Sequence, residues 1–458
     1  MRLKAASTAG VALTGMIAGL LLLQSAQTGA TQMARIPLQP PGAPPIPLAP
    51  THGTVPGWLH TDGAWIATAQ NRRVRLTSVN WNGAEGSDFV PGGLSRRPYM
   101  DILRTIKYLG FNSIRYAFSN ELVETNPVIR RHVDANPQFR GKRALQIMDT
   151  ILAGARQVGL MVILADMGLE AHAQGPANAL WYRPPRYTQQ VWIHDWVTIA
   201  QRYRNNPVVV GFDLHNEPHS NGPGLEILGR GYLRQGATWG PFRGVDNAAT
   251  DWRLAAEQAG NAILRVNPRV LVIVEGVEIY PYRNPLRGDL CPYHIPATDG
   301  YCADLYWWGG NLQSVQQYPD VLAAPHQLVY SPHEYGPSLH DQRWITPTMT
   351  EHDWQSAMAR HWGYLLDARG ANAAPLWVGE FGTSTSSGHR RTAGSIQQEH
   401  WFGSLIHYLQ HRPAIGWAYW NLNGPAARGQ GSGYGLLTYD WAHLANPTAF
   451  KAIRTIKP

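Results

Sequence analysis

From Leu76 onward the chain repeats one alternation: a short apolar run, then a longer segment with apolar residues three and four positions apart. A continuous apolar run of strand length suits a strand buried on both faces, and the longer spacing lines one face of a helix. The runs predicted as strands are Leu76–Asn80, Ser113–Tyr116, Met161–Ala165, Val208–Leu214, Val270–Val274, Leu328–Ser331, Pro375–Gly379 and Ile415–Tyr419. Helices are predicted over Tyr99–Leu109, Ala144–Val158, Gln190–Tyr203, Asp251–Val266, Asp353–Ala368 and Gln397–Gln410. Leu109-Gly110, Val158-Gly159 and Asn206-Pro207 supply stop signals. Leu312–Leu322 is the weakest helical window, and Phe450–Ile456 forms a last short helix. Ahead of the alternation, Trp65–Thr68 and Arg73–Leu76 flank Asn71 as a hairpin.

Eight strands alternating with helices fit either a closed (β/α)8 TIM barrel or an open doubly wound sheet. The polar residues decide between them. Asn80, Arg115, Asp166, Asn216-Glu217, His333, Glu380 and Trp420 fall at or just past the C-terminal ends of many strands. A barrel gathers such ends around one mouth, whereas an open sheet concentrates function at one switch point. The expected fold is therefore α/β, a single barrel over 57–458 with an N-terminal β-hairpin and long βα loops.

The first thirty residues stand apart. Arg2 and Lys4 precede the uncharged apolar run Ala9–Leu23 and the small-residue stretch Ser25–Ala30, the layout of a secretory signal over 1–30. That run is shorter than the ~20 residues of a membrane span, so no stable span is expected. Residues 31–56 are rich in proline, which favours extended polyproline II, and are expected to form a stiff linker. The formal charge of +8 is spread over single or paired basic residues, which argues against nucleic-acid binding. Cys291 and Cys302, with ten residues between them, suggest one loop-closing disulfide in an exported chain. The 18 tryptophans offer faces for sugar stacking as well as core.

Two strand ends carry the chemistry. The fourth strand runs into Leu214-His215-Asn216-Glu217-Pro218 and the seventh into Trp377-Val378-Gly379-Glu380-Phe381-Gly382. Two carboxyls facing across a barrel mouth can flank a glycosidic bond, one protonating the leaving oxygen and the other meeting the anomeric carbon. Arg115 and Tyr335 are placed to serve Glu380, and Asn216 to bind a sugar 2-hydroxyl. Burial against tryptophan raises the pKa of Glu217 and keeps it protonated at the start of the cycle. His215 and His333 are candidate bridging groups, His333 the stronger. For sugar contact the expected residues are Trp81, Trp308 and Trp420, with Trp307 and Trp181 behind them.

Taken with Thr77-Ser78-Val79-Asn80-Trp81, Gly211–His219, Tyr306–Leu312, Trp377–Thr383 and Asp251–Glu257, these motifs resemble glycoside hydrolase family 5, most closely its bacterial endo-β-1,4-glucanases. The likeness runs from about Trp58 to the C-terminus. It implies a retaining double displacement with no metal or organic cofactor, Glu217 as acid/base and Glu380 as nucleophile. It also assigns Arg115, Asn216, His333, Tyr335 and Trp420 as supporting residues. This chain departs from the pattern in four places: Asp166-Met167-Gly168 stands where an Asp-x-His is usual, with His172 the candidate substitute; the loop 219–250 is long; the Cys291–Cys302 loop reads as an insertion; and Trp420-Asn421-Leu422-Asn423 is less tryptophan-rich than expected.

The expected activity is hydrolysis of internal bonds in a β-1,4-glucan by a secreted or periplasmic monomer. Two alternatives stay open: the same machinery acting on mannan, β-1,3-glucan, an exopolysaccharide or a glycoside, or a non-catalytic sugar-binding barrel.

Overall fold

The computed structural model describes residues 44–171, 175–220, 236–241, 247–283, 295–296, 301–340, 342, 344–368, 370, 373–384, 393–425 and 433–457. The expected secretory leader at 1–30, the first part of the expected linker, His172 and the expected Cys291–Cys302 pairing lie outside them.

The alternation closes into a barrel. Its strands are β4 (Thr77–Trp81), β5 (Ser113–Phe118), β6 (Met161–Asp166), β7 (Val209–Asp213), β8 (Leu271–Glu275), β12 (Leu328–Ser331), β13 (Trp377–Phe381) and β14 (Gly416–Tyr419). They form one eight-stranded sheet with parallel neighbours. The ends of that sheet meet through parallel bridges Tyr330–Leu376 and His333–Glu380. Each observed strand overlaps its predicted run, with ends shifted by a few residues. The helices form the outer layer and start where side chains accept from free N–H groups: Thr188 from Val191, Asp251 from Leu254, and Thr350 from Asp353. Helix Ala144–Val158 ends at Gly159 in the left-handed region (φ 73°), as the glycine signal predicts. The weak window Leu312–Leu322 is only a 3-10 turn over Gln313–Gln316. The segment expected as one helix, Asp353–Ala368, divides into helix Glu351–His361 and a 3-10 turn, Gly363–Asp367.

The N-terminal hairpin is a three-stranded antiparallel sheet of β1 (Leu59–Asp62), β2 (Trp65–Thr68) and β3 (Arg73–Val74). Leu59 and Ile66 from it join Leu76, Met161, Ile163, Val210, Leu271, Ile273, Val329, Trp377 and Ala418 in one apolar cluster. This cluster fills the barrel interior, and the small sheet plugs its N-terminal end.

The proline-rich stretch differs from a free tether over its described part. Ile46 N donates to Ala442 O (2.7 Å), Ala49 N to Arg104 O (3.2 Å) and Gly53 N to Gln157 O (2.8 Å). Proline has no N–H, and the residues between the prolines spend theirs on the barrel. Gly53 lies so close that an added Cβ would sit 2.2 Å from the Val158 carbonyl carbon. A further difference follows β8. An antiparallel sheet of β9 (Ile279–Arg283), β10 (Ile295–Pro296) and β11 (Tyr301–Leu305) spans the region around the Cys291–Cys302 segment that reads as an insertion.

Candidate active site

Arg115 lies at the centre of the barrel mouth. Register pairs it with Asn80 across β4 and β5, so both side chains enter from adjacent strands. Its Nε donates to Asp213 Oδ2 (2.8 Å), Nη2 to Asn216 Oδ1 and Glu275 Oε1 (both 3.0 Å), and Nη1 to Asn80 Oδ1 (3.0 Å) and Glu380 Oε1 (2.5 Å). The side chain is fully buried. Burial alone opposes its charge, but Asp213, Glu380 and Glu275 more than offset this and raise its pKa.

The two predicted carboxylates meet. Oxygen atoms of Glu217 and Glu380 and a ring nitrogen of His333 all lie within 4.8 Å of one another. Both Glu380 oxygens accept hydrogen bonds, Oε1 from Arg115 and Oε2 from the Tyr335 hydroxyl at 2.8 Å. That is the bonding pattern of an ionised carboxylate. Glu217 opens further into the cleft, its side chain 21 % exposed against 5 % for Glu380. Burial pushes the Glu217 carboxyl above the ordinary glutamate range; the hydrogen bond from His333 pulls the other way, and Glu380 adds to the rise. His333 Nδ1 stands 3.0 Å from Glu217 Oε1 and 3.8 Å from Glu380 Oε2. Burial disfavours its imidazolium, but Glu275, Glu380 and Glu217 together hold it well above the usual histidine range. Among the described residues this trio is the one acidic and histidine cluster dense enough to hold a metal. The Arg115 guanidinium already occupies one Glu380 oxygen there, so a second cation fits poorly.

The cleft of about 290 Å³ above this cluster is lined by Asn82, Glu85, Met167, Glu170, Asn178, Asn216, Glu217, His219, Trp308, Tyr335, Leu339, Glu380 and Trp420. Trp308 and Trp420, expected to contact sugar, are among these lining residues. The Trp308 ring stacks on His219 with centroids 3.7 Å apart and planes 7° from parallel. Trp81 does not reach the cleft and is a correction: it is fully buried, and its Nε1 donates to Gly92 O (2.9 Å). The cause is strand alternation. Asn80 turns inward to Arg115, so the next residue points out beneath the helices, edge-on to Tyr116. Trp181 and Trp307 are likewise buried. Ten tryptophans are wholly enclosed, so core packing absorbs most of the abundance that suggested sugar contact. His215 is structural: its Nε2 bonds Asn178 O at 3.0 Å and its ring is buried. In the Asp166-Met167-Gly168 departure, Asp166 is buried against Trp192 Nε1 while Met167 faces the cleft.

Sequence reasoning missed Asp213 and Glu275. Both end barrel strands and both pair with Arg115 beneath the mouth. The signal was available: a carboxylate closing an otherwise apolar run, as in Leu271-Val272-Ile273-Val274-Glu275. Asn82, His219 and Leu339 lie on loops and Asn178 ends a 3-10 turn (Gly175–Asn178), where no periodicity marks them.

A parallel barrel with two carboxyls facing each other over its C-terminal mouth defines a glycoside hydrolase. The family model for cellulase (glycosyl hydrolase family 5) matches residues 69–425. The chain is 34 % identical to an endoglucanase of Paenibacillus polymyxa over 417 residues, covering 90 % of both chains. It is 30 % identical to the major extracellular endoglucanase of Xanthomonas campestris pv. campestris, covering 83 % of this chain and 67 % of that one. Among solved structures, a hyperthermophilic endocellulase from Pyrococcus horikoshii superposes with a TM-score of 0.71 at 31 % identity, covering 88 % of this chain and all of that one. The chain belongs to glycosyl hydrolase family 5.

Proposed function

We propose that this enzyme is a retaining endo-β-1,4-glucanase, with Glu217 as acid/base and Glu380 as nucleophile. The observation that carries this reading is the approach of the two carboxylates to within 4.8 Å. Direct attack on the anomeric carbon requires carboxyls roughly 5–5.5 Å apart, whereas an inverting enzyme leaves about 6.5–9.5 Å for a water. Glu380, accepting from Arg115 and Tyr335, attacks as the anion. Glu217, kept protonated by burial, gives its proton to the departing glycosidic oxygen, and the imidazolium of His333 stabilises the carboxylate left behind. Glu217 then removes a proton from the water that hydrolyses the glycosyl-enzyme.

The substrate assignment rests on the relatives. The curated ones named above are endoglucanases, and the Pyrococcus endocellulase has been solved with cellotetraose. Trp308 and Trp420 offer stacking faces on the cleft wall, and Asn216 lies where a 2-hydroxyl would reach it. The leader at 1–30 and the likeness to an extracellular enzyme favour export.

Reducing-end release from a panel of β-glycans, with viscometry on soluble cellulose, tests the substrate. A rapid viscosity drop on β-1,4-glucan is expected, and activity on mannan alone would overturn the glucanase reading. Glu380→Gln tests the mechanism: turnover should fall by at least about 10³-fold while oligosaccharide affinity stays within a few-fold. A retained rate would remove Glu380 as nucleophile.

A further inference from the structure

Beneath the two proposed catalytic carboxylates lies a third that the reaction as written does not use. Glu275 is fully buried at the end of β8. Its Oε2 accepts from the backbone N of Glu217 (2.7 Å), and its Oε1 accepts from Arg115 Nη2 (3.0 Å) and lies 3.2 Å from His333 Nε2. Glu217 adopts a left-handed conformation, φ 56°, which costs a non-glycine residue unless its surroundings hold it there. The hydrogen bond from its N–H to Glu275 is such a hold. The fit around Glu275 is close: Gly309, itself at φ 68°, could carry no Cβ, because that atom would lie 2.5 Å from Glu275 Oε2.

The charged and titratable groups facing this carboxyl are Arg115 on β5, Asp213 on β7 with Glu217 beyond its end, and His333 after β12, and Glu380 on β13 faces His333 in turn. Arg115 and the Glu217 N–H donate to this carboxylate, and His333 Nε2 faces Oε1 as an ion pair. We propose that Glu275 is a positioning residue whose charge pairs with the His333 imidazolium, keeping its Nδ1–H turned on Glu217 while its other oxygen fixes the Glu217 backbone. As an imidazolium, His333 carries on Nδ1 the hydrogen that bonds Glu217 Oε1. Burial pushes Glu275 up and its acidic neighbours push His333 up, so the two titrate as a unit rather than as separate groups. This inference rests on Glu217 being the acid/base.

Glu275→Gln tests it, with Glu275→Asp as the variant that keeps a carboxyl. Histidine ring nitrogens are followed by NMR against pH, with His333 assigned by its absence in His333→Asn, and kcat/KM is measured across the same range. In Glu275→Gln the His333 ring should titrate at lower pH than in wild type. The basic limb of kcat/KM should move up by about one pH unit, because Glu217 loses a neighbouring cation. Overall kcat/KM should fall about 10- to 100-fold. Glu275→Asp should keep the high His333 titration despite reduced turnover. An unmoved His333 titration in both variants, with a pH profile of wild-type shape merely scaled down, would overturn the proposal. If Glu275→Gln does not fold, a His333 titration in Glu275→Asp that drops into the ordinary histidine range would do the same. The NMR titration does not depend on hydrolysis, so failure of the glucanase reading shows separately, as wild type without turnover.

Discussion

Arg115 shows how much of the mouth one side chain can organise. Its planar fork meets five oxygen acceptors contributed by five different residues, and no described solvent contact helps it. A lysine carries the same charge on a single point and cannot reproduce that fork. Arg115→Lys should therefore destabilise by on the order of 3 kcal/mol, measured by urea unfolding, and lower kcat/KM by at least about 10²-fold. A near-neutral effect on both would mean that the carboxylates hold their places without it. At this scale the sequence was readable where chemistry demands a rare residue, as with Glu217, Glu380 and Arg115. Trp81 was misread because an aromatic beside a functional asparagine looks like a sugar platform, and only strand alternation says which of the two faces the mouth. Asp213 and Glu275 were passed over because each looks like the polar end of an apolar strand.

Among the elements, periodicity located every barrel strand, and glycine or capping signals located most helix ends. It did worse where conformation depends on what a segment lies against. The proline-rich stretch has no periodicity, and polyproline geometry serves a free tether and a docked strap equally. Its described half is docked, with three backbone hydrogen bonds to distant parts of the barrel. Removing residues 31–56 should cost about 1–4 kcal/mol of stability, since each net hydrogen bond contributes about 1 kcal/mol and Ile46 and Val55 also pack on the core. Thermal unfolding of the truncated and full chains measures this, with kcat expected unchanged because none of these contacts reaches the mouth. An unchanged Tm would show that the strap carries no stability. The β9–β11 sheet escaped notice for a related reason: its strands are short, and its sequence reads as loop.

Over the whole molecule, acid-base balance sets the range in which the fold is most stable. Asp195, packed against the short helix Asn120–Thr125, is pushed up to about 7 by burial, against the pull of its hydrogen bond from Asn120. A folded pKa above the unfolded one gives stability that is complete below the unfolded value of 3.8 and is lost as pH rises through about 7. Asp304 runs the other way. Burial alone would raise it, but His361 and Gln313 bond to it and bring it down to about 2, so its contribution is lost only in strong acid. Asp195→Asn removes the first dependence. The Tm of this variant minus that of wild type should therefore grow more positive from pH 4 to pH 8, as read by calorimetry, and a constant difference would contradict the assignment. The barrel itself was legible in the sequence because its repeat is set by local physics. These pH terms were not, because they depend on what lies opposite each carboxyl.

The small sheet that stoppers the lower end of the barrel has a consequence for timing. With Leu59 and Ile66 packed into that end, the cleft among the described residues opens at the mouth. Under the proposed double displacement, the water that frees the bound sugar comes in at the mouth where the first fragment leaves, so departure precedes release. Short cellulose fragments that linger at the doorway should accordingly slow the second half of the cycle more than the first.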